Sequence, residues 1–225
     1  MHVIKTKGYG EAPVVMVLAH GAGAPMDSPF MNLLAESLEE EGIASLRFEF
    51  PYMQKRREDG KKRPPDRQPG LLESYQQMVA QVRHELGPGT DVILGGKSMG
   101  GRMASILATD AAVDVRAVVC YGYPFHPPGK PGRWRTDHLP DLVCPLLVLQ
   151  GTRDPFGKPA ELQARGPIDG IHTLEWLDGG DHDFRPPVRH PETQESLIRR
   201  AAALTRAFVE GVDQPVRASD FVPER

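Results

Sequence analysis

Six short apolar runs punctuate the chain at residues 14–19, 43–48, 92–94, 117–121, 146–150 and 173–177, and each reads as a β-strand. Residues 3–6 add a candidate edge strand. Several of these runs are continuously apolar instead of alternating, as parallel strands covered on both faces should be. Helical patterns lie between them. Asp27-Ser28-Pro29 marks a helix start with proline in its first turn; Met31, Leu34 and Leu38 then share one face, and Gly42 stops the helix. A second pattern, residues 71–86, turns Leu72, Tyr75, Val79, Val82 and Leu86 inward and ends at Gly87-Pro88-Gly89. A third, residues 192–211, carries Leu197, Ala201, Leu204 and Phe208 as its stripe. This alternation predicts an α/β fold with a mostly parallel sheet of about six or seven strands, helices on both faces and right-handed crossovers. The chain is too short for a large cap domain beside it. One domain is expected over residues 1–212, followed by a polar tail at 213–225, with no internal repeat.

Two segments interrupt the alternation. Residues 51–69 concentrate Lys55, Arg56, Arg57, Lys61, Lys62, Arg63 and Arg67 against only Glu58, Asp59 and Asp66. Residues 123–140 are rich in Pro, Gly, Arg and His. Each follows a strand, so each should emerge at the carboxyl edge of the sheet, where open α/β sheets bind ligands.

Composition narrows the class. A chain of 225 residues with 40% apolar and 25% charged residues is an ordinary soluble protein with a sizeable core. A net charge of −3 argues against nucleic acid as the main partner of the whole surface, while leaving room for a local basic patch. Cys120 and Cys144 give neither a disulfide framework nor a C-x-x-C spacing, and read as reduced, largely buried thiols. The amino terminus lacks the apolar stretch of a signal peptide, and no run is long enough to span a bilayer, so a cytoplasmic location is expected.

The chemistry concentrates in Gly96-Lys97-Ser98-Met99-Gly100, a G-x-S-x-G pattern between a strand and a helix of small residues. In a nucleophile elbow the strand turns sharply into the helix and presents the serine at its apex. The turn is too tight for a Cβ at the flanking positions. Gly100, Ala104 and Ala108 follow at i, i+4 and i+8, a face that can approach a sheet closely. An idle serine in a glycine-rich turn would fit these five residues alone. A serine hydroxyl needs a base to take its proton, and the base needs an acid to orient it. Elbow enzymes carry these in the order serine, acid, histidine, on loops after later strands. Asp154 follows the strand at 146–150, and His182 follows the strand at 173–177 within Asp178-Gly179-Gly180-Asp181-His182. Asp178 and Asp181 are rival acids, but they lie so close in sequence to His182 that approach to the far side of its ring is harder. Acyl transfer also needs backbone N–H groups aimed at the developing oxyanion. Met99 should supply one; the loop His20-Gly21-Ala22-Gly23-Ala24 should supply the other, from Ala22 first and Gly21 second.

Together His20-Gly21-Ala22-Gly23, Gly96-Lys97-Ser98-Met99-Gly100-Gly101, Gly151-Thr152-Arg153-Asp154-Pro155 and Gly179-Gly180-Asp181-His182 resemble the α/β-hydrolase superfamily. The segment from Gly122 to Lys130, beginning Gly122-Tyr123-Pro124-Phe125-His126, is similar to its small, nearly cap-less dienelactone-hydrolase-like branch. The resemblance covers roughly residues 12–210. It implies Ser98 as nucleophile, Asp154 as orienting acid and His182 as base. Dienelactone hydrolase itself places a cysteine at the nucleophile position, so the serine here favours ester-type chemistry over dienelactone. A haloalkane dehalogenase would need a carboxylate there.

The expected function is therefore a serine hydrolase acting on carboxylic esters or thioesters of a small-molecule or acylated substrate, with neither metal nor organic cofactor implied. A binding or scaffold module that keeps the fold without catalysis is the alternative, since fold alone does not establish function. It has no physical need for Ser98, Asp154 and His182 together. The basic segment reads either as a solvated surface loop or as a rim for acidic substrates, with Arg63, Arg133 and Arg135 as contributors. Lys97 joins that rim by position, although an ion pair suits it better than a role as base.

Overall fold

A computed structural model describes residues 2–212; the expected tail at 213–225 lies outside the described residues. Strands β1 (Val3–Lys5), β2 (Val14–Ala19), β3 (Ile43–Phe48), β4 (Asp91–Lys97), β5 (Ala117–Tyr121), β6 (Leu146–Gly151) and β7 (Thr173–Leu177) form one sheet in the order β1-β3-β2-β4-β5-β6-β7. Every neighbouring pair is parallel except β1 with β3. The six helices are α1 (Pro29–Glu40), α2 (Pro51–Asp59), α3 (Gln68–Leu86), α4 (Met99–Leu107), α5 (Pro159–Arg165) and α6 (Gln194–Gly211). No separate cap domain is evident among the described residues.

The unbroken apolar runs are explained by burial on both faces. In β2, Val14, Met16 and Leu18 pack with Met31, Leu34 and Leu38 of α1 and Leu197, Ile198 and Ala201 of α6. The alternate residues Val15, Val17 and Ala19 pack with Tyr75, Met78, Val79 and Val82 of α3 and Met103 and Ala104 of α4. A strand of period two inside two cores has no polar position to offer. The register aligns the carboxyl ends: Ala19 pairs with both Phe48 and Gly96, Lys97 with Tyr121, Tyr121 with Leu149, and Gly151 with Leu177. The loops bearing His20, Ser98, Gly122, Asp154 and His182 consequently leave the sheet at one edge.

Helix ends follow local chemistry. Ser28 caps α1, its hydroxyl accepting from Met31 N, and the chain leaves the helix through Gly42 at φ +77°. Thr193 and Ser196 cap α6 reciprocally, Ser196 N donating to Thr193 Oγ1 at 3.1 Å and Thr193 N to Ser196 Oγ at 2.9 Å.

Three elements differ from the sequence reading. Residues 51–59, expected within an irregular basic segment, form α2, with Pro51 at its start and Gly60 closing it at φ +71°. Tyr52 and Met53 are its buried anchors, too few to give a periodic signal along a run of charges. Strand β4 runs on through Gly95, Gly96 and Lys97 because β2 and β5 supply ladder partners on both sides, overriding glycine's poor strand propensity. Helix α5 has one buried residue, Leu162, and was not foreseen for the same reason as α2.

Tyr75 ties α3 to the middle of the sheet. Its buried hydroxyl lies 2.7 Å from both Val17 O and Gly95 O, and accepts from Gly95 N at 3.1 Å. Tyr75→Phe should therefore leave buried main-chain groups short of a partner and lower unfolding free energy by about 1–3 kcal/mol in urea denaturation. A change within error would show that the ring alone, without its hydroxyl, secures α3.

Candidate active site

Ser98 occupies the turn between β4 and α4 at φ 52°, ψ −113°, a conformation a serine adopts only under strain. The turn is pinned on both sides: Ser98 N donates to Tyr121 O at 3.0 Å, and Ser98 O accepts from Arg102 N at 3.0 Å. The flanking glycines are sterically required. A Cβ on Gly96 would stand 2.3 Å from the carbonyl carbon of Gly100, and one on Gly100 would stand 2.5 Å from Ala19 O. With hydrogens in their place, the first turn of α4 rests directly on the ends of β2 and β4.

His182 lies on the turn after β7. Its Nε2 is 2.9 Å from Ser98 Oγ, and its Nδ1 is 2.7 Å from Asp154 Oδ2. A carboxylate can only accept, so Nδ1 carries the proton and Nε2 faces the serine hydroxyl as an acceptor. Asp154 is fully buried, and its remaining capacity is filled by Phe156 N on Oδ1 at 2.8 Å and Gln150 Nε2 on Oδ2 at 3.0 Å. The Phe156 ring covers the imidazole, with centroids 4.3 Å apart. Gly151 allows the Asp154 and His182 turns to touch: a Cβ there would lie 2.3 Å from Gly180 O. The rival acids have other partners. Asp178 faces His190 Nε2 at 3.3 Å, while Asp181 Oδ1 accepts from Asp183 N and Arg185 N.

The loop at 20–24 is held from outside by its own carbonyls. Buried His20 accepts from Phe50 N at Nε2 (3.1 Å) and donates from Nδ1 to Gly21 O (2.6 Å). Burial lowers its pKa, which favours the neutral ring that this donor–acceptor pair requires. Tyr52 Oη donates to Ala22 O at 3.0 Å, and Arg56 Nη1 donates to Gly23 O at 3.2 Å. Nearby, Arg57 joins Asp27 and Glu49, each at 2.6 Å. Helix α2 thus braces this loop with Tyr52 and Arg56, while Arg57 ties the helix to Asp27 and Glu49 beside it. The N–H groups of Gly21, Ala22 and Met99 have no acceptor among the described residues. That of Met99 is an unpaired donor of the first turn of α4.

A cavity of about 360 Å³ opens over Ser98 and His182, with Gly21, Ala22, Phe30 and Phe156 among its walls. Lys97 also lines it. Its buried ammonium donates to His182 O at 2.5 Å, stands 3.6 Å from Asp183 Oδ1 and lies over the Phe30 ring. Burial lowers its pKa, opposed by the neighbouring aspartates. The other expected rim residues do not line this cavity. Arg63 pairs with Asp59, and Arg133 and Arg135 line a separate cleft. Neither cysteine offers a rival nucleophile: burial pushes the Cys120 thiol up strongly and that of Cys144 to about 11. Gln150, Phe156, Phe30 and Tyr52 carry no site role in the sequence reading, and Arg56 stands there only as one charge of the basic segment. Gln150, a polar residue closing an apolar strand, was the one with a visible signal.

Known proteins share this architecture. A dienelactone hydrolase of Anabaena variabilis superposes with a TM-score of 0.65 at 22% identity, covering 86% of this chain and 85% of that one. An α/β serine hydrolase homologue of Coxiella burnetii gives 0.64 at 20% identity over 92% and 88%. Est1E of Butyrivibrio proteoclasticus, solved with bound ferulic acid, gives 0.68 at 14% identity over 93% and 95%. At these identities the likeness is one of fold. Two curated proteins from strains of Mycobacterium tuberculosis, provisionally named phosphoribosyl transferases, are 29% identical over 178 residues and 77% of this chain. The chain spans 37% of the length of these relatives. The family model described as an alpha/beta hydrolase domain matches residues 12–210, nearly the whole described chain, and the protein belongs to that family.

Proposed function

We propose that this α/β hydrolase is a serine hydrolase that cleaves a carboxylic ester or thioester through an acyl-enzyme. The observation that carries the proposal is the continuous hydrogen-bond line from Ser98 Oγ through the His182 ring to buried Asp154, at 2.9 and 2.7 Å. His182 Nε2 takes the serine proton as Oγ attacks the carbonyl, and returns it to the departing alcohol or thiol. Water then attacks the acyl-serine with the same nitrogen as base. Asp154 stabilises the imidazolium that forms in each step. The Met99 and Ala22 N–H groups, with Gly21 as the neighbouring donor, face the oxyanion; removing one such donor typically costs about 3–4 kcal/mol of barrier.

The cavity of about 360 Å³ suits a small acyl or leaving group, and the rings of Phe30 and Phe156 favour an apolar one. The transferase name of the Mycobacterium relatives is not carried over. The shared 178 residues make up 37% of their length, and a serine–histidine–aspartate line serves acyl transfer.

A fluorophosphonate probe should label the wild type at Ser98 and neither Ser98→Ala nor His182→Ala. Hydrolysis of short p-nitrophenyl esters should fall about 10⁴-fold in each variant. Labelling that persists in Ser98→Ala would refute the assignment; an unlabelled, folded wild type would favour a scaffold. Tyr52→Phe frees the Ala22 carbonyl from its brace while leaving the reacting side chains intact. It should lower kcat about 10- to 100-fold with an unchanged circular dichroism spectrum. Full activity would show that the loop holds its shape without the Tyr52 hydroxyl.

A further inference from the structure

A second cleft, of about 490 Å³, lies between the loop after β5 and the carboxyl end of α5. Arg133, Trp134, Arg135, Asp137 and Arg165 are among its walls. The three guanidinium groups have no hydrogen-bond or ion-pair acceptor among the described residues. Arg102 of α4 is near enough to Arg135 to repel it. Arg135 has its pKa lowered first by burial and then by repulsion from Arg102 and Arg133.

Arg133 and Arg165 are exposed, and it is Arg135 and Arg102 that stand apart from the other enclosed arginines. Each remaining buried or half-buried arginine among the described residues donates to a protein oxygen: Arg47 to Asn32, Arg56 to Gly23, Arg63 to Asp59, Arg83 to Thr90, Arg116 to Asp91 and Arg206 to Glu210. Arg102 and Arg135 are half-buried and their guanidinium groups donate to none. A partly desolvated guanidinium beside like charges, as Arg135 is beside Arg102 and Arg133, is unfavourable unless an anion joins them. Asp137 is the one carboxylate in the wall. His138, pushed down to about 4 by burial and by Arg102, is neutral and adds no charge.

The cleft is also built in advance. Arg135 N donates to Phe125 O at 2.8 Å, Arg133 N to Lys130 O at 3.0 Å, and Tyr123 Oη to Arg135 O at 2.8 Å. The Arg165 guanidinium lies 5.4 Å from the centre of the Trp134 ring.

We propose that this cleft binds the phosphate group of a small phosphorylated ligand, with Arg133, Arg135 and Arg165 as donors and Arg102 as the supporting charge. One bidentate arginine satisfies a carboxylate, whereas several converging guanidinium groups call for an oxyanion with more acceptors and more than one charge. A net charge of −3 over the whole chain disfavours a nucleic-acid polymer as the occupant. Binding there does not depend on Ser98 chemistry.

Calorimetric titration of the full chain with inorganic phosphate, pyrophosphate and ADP, at low and at physiological ionic strength, tests this. Saturable one-site binding of at least one ligand is expected. Arg133→Ala/Arg135→Ala should weaken it at least tenfold, as should Arg165→Ala, which alters an exposed helix end and spares the loop. The charge-matched Arg199→Ala/Arg200→Ala and the nucleophile variant Ser98→Ala should bind as the wild type does. ADP binding well above pyrophosphate would support an organic phosphate ester, and equal binding the free anion. No saturable binding of any of the three would overturn the proposal. So would equal weakening by the Arg199/Arg200 control.

Discussion

Backbone-to-backbone contact at the start of α4 is the constraint on which the site depends. The helix begins where β2 and β4 end, and it reaches them because Gly96, Gly100 and Gly101 present no Cβ; an added atom on any of the three would come within 2.6 Å of a main-chain atom. This closeness forces Ser98 into its positive-φ conformation and projects the hydroxyl above the sheet edge. Every other part of the site is arranged around that fixed point. The parallel register then matters, because aligned strand ends bring loops from β2, β5, β6 and β7 to the same place.

Around the serine, polar groups are held by partners that leave them little freedom. Asp154 is buried and receives bonds from Phe156 N and Gln150 Nε2 as well as His182, so the proposed acid has few alternative positions. Phe156 covers one face of the imidazole and Lys97 holds the His182 carbonyl. Such enclosure lowers the local dielectric and strengthens each polar interaction, which is also why each must be satisfied. Loop 20–24 obeys the same rule with the roles reversed. Its carbonyls are engaged by His20, Tyr52 and Arg56, while the N–H groups of Gly21 and Ala22 stay available.

The positive charge of the two interrupting segments divides by partner. In α2, Arg56 and Arg57 face main-chain oxygens and carboxylates and are consumed in holding structure. In the loop after β5, Arg133 and Arg135 lie near enough to repel, Arg102 adds to that repulsion, and neither has such an acceptor among the described residues. Two stretches with similar composition thereby acquire different roles: one is an internal brace, the other a cluster of positive charge without protein partners among the described residues.

The strands, their parallel order of appearance and the helices α1, α3 and α6 were legible in the chain because burial on two faces or one stripe writes a repeating apolar pattern. Ser98, Asp154 and His182 were legible because glycine-rich turns placed each just past a strand. Short α2 and α5 were not, since one or two anchors make no period. Nor could spacing reveal that Tyr52 and Arg56 reach loop 20–24 some 30 residues away, that Phe156 would stack on His182, or that Arg133 and Arg135 would leave the Ser98 cavity for a cleft of their own. The sequence by itself determined which residues face the core and where the chain must turn, because those depend on nearest neighbours and solvent. Only the tertiary structure decided which charges meet, because a guanidinium's partner is chosen by distance in space, and folding sets that distance without regard to separation along the chain.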